Sequence, residues 1–168
     1  MKKLFQIVKK LSVNLTRKMI LGLLSRPLLL IPTAWATVES VLFSEINFDE
    51  RSSGRGIANA FRHAAWNLLI AKNCLVFTSQ SKAVAWAKYT TDLHEECFPN
   101  EPFDHEMDLH NNRIGREIFE ELSKQKLSKK EMIAVLIKKC DSAVGLSDEK
   151  EFEKHQDELV YFRGVGEV

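Results

Sequence analysis

The sequence predicts an all-α protein, a single bundle-like domain of about six or seven helices with a basic, apolar N-terminal arm. Three observations predict it. Helix breakers are scarce, with 7 glycines and 4 prolines in 168 residues, while Leu, Lys, Glu and Ala are abundant. Apolar residues recur at steps of three and four through most of the chain. Cap-type side chains stand where those periodic stretches begin. The length suits one domain, and 45% hydrophobic with 28% charged residues suits a packed core rather than a disordered chain.

Taken in order, residues 2–24 place Leu4, Phe5, Ile7, Val8, Leu11, Leu15, Met19 and Leu23 at mostly helical steps with lysines between them, the pattern of an amphipathic helix. Residues 1–38 hold seven bases and no acid, while the remaining 17 bases and 23 acids leave the rest of the chain at −6. The expected division is therefore an arm over 1–45 and a helical core over 46–168. The partner expected for residues 1–30 is an anionic membrane surface. The stretch "LGLLSRPLLLIPTAWATVESVLF", 21–43, is strongly apolar, but Arg26, Pro27 and Pro32 interrupt it. An unbroken run long enough to cross a bilayer is not expected there. The prolines are expected to start new helical segments or to kink the chain. "AWA" at 34–36 imitates a secretory cleavage site, yet the basic region before it is too long and lysines recur inside the apolar stretch. Cys74, Cys97 and Cys140 are odd in number, lack CxxC spacing and suit a reducing compartment as small buried hydrophobes. The location expected is cytoplasmic, peripheral to the inner membrane.

"NFDERSSGRG", 47–56, reads as a loop, followed by a helix over 57–73. Ser79 or Ser81 can cap the next helix, 82–97. "FPNEPFD", 98–104, breaks it with two prolines, and Asp104 can cap a helix from about 105 to 123. Ser128 with Glu131 three residues on is a capping box for the helix that follows. Ser147, with Asp148 and Glu149, is expected to open a last helix through about Phe162, before "RGVGEV" frays. No segment shows a strand period.

Polar residues fall on one face of each central helix. Asn59, His63, Trp66 and Asn67 lie at steps of three and four beside Arg62; Thr90, Thr91, His94 and Glu95 share a second face; Asp108, Asn111, Asn112 and Gly115 share a third. A metal needs ligands converging from several elements, and His nitrogen with carboxylate oxygen suits zinc, manganese or iron. His63, His94, Glu95, Asp108 and Asn111 are the expected ligands of a divalent cation. Arg62, His94, Glu95 and Asn112 are the expected catalytic residues: Glu95 or His94 as general base, Arg62 against developing oxyanion charge. His110 could add to the ligand set, His105 is expected to be exposed in the first turn of its helix, and Trp66 and Trp86 are expected in the core. Alternatively, Arg62, Glu95 and Asp108 form a buried ion-pair network and His63 and His94 are hydrogen-bonded core histidines, in a non-enzymatic membrane-surface or partner-binding module. "HEEC" lacks the second histidine of HExxH, and GxSxG, P-loop and GxGxxG are absent. No basic, aromatic-interleaved stripe marks the body, so nucleic acid is not an expected partner.

"NAFRHAAWN" (59–67), "HEECFPN" (94–100) and "MDLHNNRIGREIF" (107–119) together resemble an uncharacterised family of bacterial domains that carries NAFRHAxWN, HE and MDLHNNxxG in that order. Its members look like stand-alone proteins of Bacteroidetes type, and similar motifs close long polymorphic-toxin proteins. The resemblance implies that Asn59, Arg62, His63, Trp66, His94, Glu95, Asp108, Asn111 and Asn112 belong together, and it adds a toxin-type effector as a third reading. The order His63, His94–Glu95, Asp108 is also similar in layout to helical phosphohydrolases of the HD type, with Glu in place of the doublet's Asp. The function expected from these readings is a metal-dependent hydrolase of a phosphoester or of a lipid-linked, cell-envelope substrate.

Overall fold

A computed structural model describes residues 21–22, 24–48 and 54–163. The amphipathic helix expected over 2–24 lies almost wholly outside them, as does the chain end beyond Arg163. The described elements are α1 (Pro27–Asn47), α2 (Ile57–Cys74), α3 (Gln80–Cys97), α4 (Pro102–Ser123), α5 (Lys129–Cys140), β1 (Val144–Leu146), a 3-10 helix (Glu149–Lys154) and β2 (Val160–Phe162). The protein is all-α in class.

α2 is the axis of the bundle, and α1, α3, α4 and α5 all pack on it. Its buried surface is rich in alanine, with Ala58, Ala60, Ala64, Ala65 and Ala71 among Phe61, Leu68, Leu69 and Ile70. Small residues let neighbouring backbones come close. One close approach is to α4, where a Cβ on Gly115 would lie 2.1 Å from the Ala64 carbonyl oxygen. Glycine is therefore required by the helix crossing and not by a turn. That crossing sets α2 and α4 side by side at the height of the polar residues.

α1 runs unbroken through Pro32, so the prolines do not divide it. Pro27 occupies the first turn, where its missing N–H is no loss. Pro32 forfeits one internal bond, and tertiary ties hold the helix around it: Trp86 Nε1 donates to Thr33 Oγ1 at 2.9 Å, and Lys129 Nζ meets Glu39 Oε1 at 2.6 Å. By length and composition α1 is sufficient to cross a membrane, contrary to the expectation from its interruptions.

α4 begins at Pro102, three residues before the expected start, with Glu101 at the N-cap. Asp104 sits inside the first turn and pairs with Arg55 (2.5 Å) instead of capping. Ser128 and Glu131 form the expected capping box of α5. All three cysteines are buried and unbridged.

The C-terminal segment is not the expected helix. β1 and β2 form a two-stranded parallel sheet with Val144 opposite Val160 and Leu146 opposite Phe162, and only the short 3-10 helix lies between them. Leu146 and Val160 join Met107 in a second small core under Phe103 and Phe152. The strands are three residues each, too short for alternation to show in sequence, and tertiary partners hold them. Phe162 N–H donates to the Arg55 carbonyl at 2.9 Å, and the Asn111 side chain of α4 holds both backbone groups of Val160.

Candidate functional site

Steps of four give each central helix one polar line. α2 contributes Asn59, His63 and Asn67; α3 contributes Thr91 and Glu95; α4 contributes Asp108, Asn112 and Arg116, and all eight are buried. Packing of α2 against α3 and α4 joins the lines. His63 lies at the centre, with Nε2 3.3 Å from Asp108 Oδ1 and Nδ1 3.7 Å from Glu95 Oε1. One ligand-type atom from each of His63, Glu95 and Asp108 falls within 4.8 Å of the others. This buried set can hold a metal ion.

The carboxylates are held by amides. Asp108 Oδ1 accepts from Asn59 Nδ2 at 3.0 Å, and Oδ2 accepts from Asn100 Nδ2 at 3.1 Å. Arg62 Nη2 in turn donates to Asn59 Oδ1. Glu95 Oε1 accepts from Asn112 Nδ2 at 3.4 Å, and Asn112 Oδ1 accepts from Asn67 Nδ2 at 2.7 Å. Asn67 Oδ1 closes the line by accepting from Thr91 Oγ1 at 3.2 Å and Arg116 Nη1 at 2.8 Å. Within this network His63 Nδ1 is buried and has no hydrogen-bond partner. Buried polar atoms are nearly always paired, so this one needs a reason.

The electrostatics sharpen the point. Burial, then the Arg62 charge, lowers the His63 pKa to about 4, so its imidazole is neutral with a lone pair to give. Burial, then Asp108, raises Glu95 to about 7. Burial also raises Asp108, against the opposing bonds from Asn59 and Asn100. Two desolvated carboxyls crowd a neutral imidazole, an arrangement a divalent cation would neutralise. One nitrogen and two carboxylate oxygens suit zinc, manganese or iron.

The set lines a cleft of about 320 Å³ with Arg62, His94 and Asn100. A larger cleft of about 380 Å³, beside Arg26, Lys82 and Tyr89, contains none of these residues. A groove of about 230 Å³ beneath Val41 of α1 shares Arg62, His63 and His94 with the polar cleft.

Not every expected site residue joins the set. His94 stands at the mouth, its ring edge-on to Trp66 (5.1 Å) and tilted against Phe98 (4.8 Å), outside the three-residue group. Asn112 stands behind Glu95. Asn111 turns to the other side of α4: its Nδ2 donates to the Val160 carbonyl at 2.8 Å and its Oδ1 accepts the Val160 N–H at 3.0 Å. Both ends of that amide are used by β2, which excludes it from the cluster. His110 likewise serves the C-terminal segment, with Nε2 2.9 Å from the Glu158 carbonyl. Among the described residues Arg62 donates to the Asn59 amide and to no carboxylate, and amides hold Glu95 and Asp108 where an Arg62 ion-pair network was the alternative expectation. Trp86 is in the core, whereas Trp66 is half-buried and donates to Thr37 Oγ1 at 2.9 Å. Sequence reasoning missed Asn100 as a partner of Asp108; its place at the end of "HEECFPN" was the available signal. It also missed the Arg55–Asp104 pair at the rim.

A family model described as a domain of unknown function (DUF6973) matches residues 20–144, which is 125 of the 168 residues and takes in all three motif stretches. No curated protein and no solved structure matches the chain. The chain belongs to the family of that model.

Proposed function

We propose that this member of the DUF6973 family is a metal-dependent hydrolase of an anionic ester, a phosphoester being the class its residues suit, with His63, Glu95 and Asp108 holding a divalent cation. The observation that carries this reading is the buried His63 imidazole, its ring set between the Glu95 and Asp108 carboxyls and its Nδ1 without a hydrogen-bond partner, at the wall of a cleft. A bound cation of this kind polarises the scissile group and lowers the pKa of water. The chain's own residues do the rest. Asn59 and Asn100 fix the orientation of Asp108, and Asn112 fixes Glu95. Arg62, lining the cleft, offers its guanidinium to the anionic group as charge builds on it. His94 at the mouth has its pKa lowered by burial, then by His63, so it is neutral near pH 7 and can take a proton from water as general base.

The test is elemental analysis of protein purified without chelator or nickel resin, beside His63→Ala and Asp108→Asn, followed by a panel of soluble phosphoesters. Near-stoichiometric zinc, manganese or iron in wild type, absent from both variants, is expected. Folded wild type that takes up none of these metals on incubation would sink the reading. The continuous amide network favours a second reading, a non-enzymatic helical module in which these polar residues are structural. Under it, Asp108→Asn sets its new amide nitrogen against one of the two donors, Asn59 or Asn100, and destabilises by about 3 kcal/mol with no metal at stake.

A further inference from the structure

α1 is built inside out for a helix facing water. The face it turns into the protein is mostly small or polar: Leu29, Pro32, Thr33, Ala36, Ser40 and Ser44. The opposite face carries Leu28, Ile31, Trp35, Val38, Leu42 and Ile46 at helical steps, each between 47% and 81% exposed. A surface helix of a water-soluble domain has the reverse distribution. An apolar stripe of this length marks a partner or a membrane. α1 is also bound along its length to the body: Thr33 to Trp86, Glu39 to Lys129, and Ser44 Oγ to the Ala58 carbonyl at 3.1 Å. It therefore lies along the domain and offers one face, instead of standing free to cross a bilayer.

Charge selects the occupant. Residues 1–38 bear seven bases and no acid, and Arg26 and Lys82 rim the cleft where α1 begins. Of the two acids on α1, Glu39 is turned inward to Lys129. An apolar face that continues a basic, acid-free segment of sequence and begins beside Arg26 and Lys82 complements an anionic lipid surface. The groove beneath Val41 then gives a route inward, because it is shared between α1 and the cleft wall at Arg62, His63 and His94.

We propose that α1 lies flat on an anionic bilayer through its Leu28–Ile46 face, and that the substrate of the cleft is a phosphoester lipid from that bilayer. Its headgroup phosphate would meet Arg62 and the cation that His63, Glu95 and Asp108 would hold, while its chain follows the groove beneath Val41. The substrate part rests on the hydrolase reading above. Water oxygen bonds to phosphorus, the phosphorus–ester oxygen bond breaks, and the departing alcohol takes up the proton that water loses.

The experiment is co-sedimentation of the full chain with vesicles of phosphatidylcholine, with and without phosphatidylglycerol, beside the double variant Ile31→Ser/Leu42→Ser. Wild type is expected to sediment with the anionic vesicles. The double variant is expected to lose about a hundredfold in partitioning, with metal content and melting temperature unchanged because both positions face away from the core. Equal sedimentation of the variant, or none of wild type, would overturn the docking. A wild-type dimer that the variant dissociates, with no vesicle binding, would overturn it in favour of a second copy of the chain. Vesicle binding by a protein that takes up no metal would overturn the hydrolase reading and leave the docking in place. Cleavage of a soluble phosphoester but of no vesicle lipid would overturn the lipid substrate alone.

Discussion

His63 and Glu95 are held in opposite ways by the same burial, and the signs make a test. The His63 pKa falls from 6.5 to about 4, so the stability it contributes is present above 6.5 and lost as pH falls through 4. The Glu95 pKa rises from 4.5 to about 7, so its contribution is present below 4.5 and lost as pH rises through 7. Between those limits the two slopes oppose each other. Removing one exposes the other. Metal-free Glu95→Gln is expected to be more stable than metal-free wild type at pH 8, by about 2 kcal/mol. The advantage should vanish near pH 4.5 in denaturant titrations at the two pH values. Metal binding must also expel the Glu95 proton. Calorimetry in buffers of different ionisation heat should find nearly one proton released per cation at pH 6 and far less at pH 8. Asn111 separates structure from chemistry. Asn111→Ala strands both backbone groups of Val160 and should cost about 2 kcal/mol, yet leave the metal content of wild type. Loss of metal with intact stability would place Asn111 back among the ligands.

Among the elements, the α2–α4 crossing matters most, because His63 and Asp108 face each other across it. Gly115→Ala puts a methyl against the Ala64 backbone, which cannot move aside as a flexible side chain would. A loss of about 3 kcal/mol is expected, read as a drop of several degrees in melting temperature. Metal content should fall with it, since the helices must separate where the ligands meet. α5 gives a quieter control. Ser128→Ala removes one half of a capping box remote from the cluster and should cost about 1 kcal/mol while metal binding is unchanged. α1 behaves differently on its two faces. Leu29→Ala, on the buried side, should cost about 2–3 kcal/mol, whereas Ile31→Ser on the exposed side should not alter melting.

For the whole molecule, a cation bound by three central helices is a tertiary clamp, and its removal should be felt globally. Chelation of loaded protein is expected to lower the melting temperature by about 5–10 °C if the cation was present at a hundred times its dissociation constant. An unchanged melting curve after complete metal removal would refute a clamp at that position. Much of this organisation was legible without coordinates. Helix class, the α5 cap and the three polar faces follow from local rules, because propensity, capping and the 3.6-residue period act within a few neighbours. His63, Glu95 and Asp108 were legible for the same reason, as ionisable residues on the polar faces of their helices, but within a larger set that also held His94 and Asn111. Neighbours distant in sequence settled the rest. Asp108 and Asn111 sit on adjacent parts of one helix surface, and only the packing of β2 against α4 sends the Asn111 amide to Val160 and leaves Asp108 with His63. The strands at 144–146 and 160–162 carry too few residues for a period and exist because Met107 and Arg55 offer them partners. Pro32 is tolerated because α1 is tied to α3 and α5 around it. The orientation of α1, small face inward and large face outward, is set by the alanine-rich α2 it must pack against: only its small side can approach that closely.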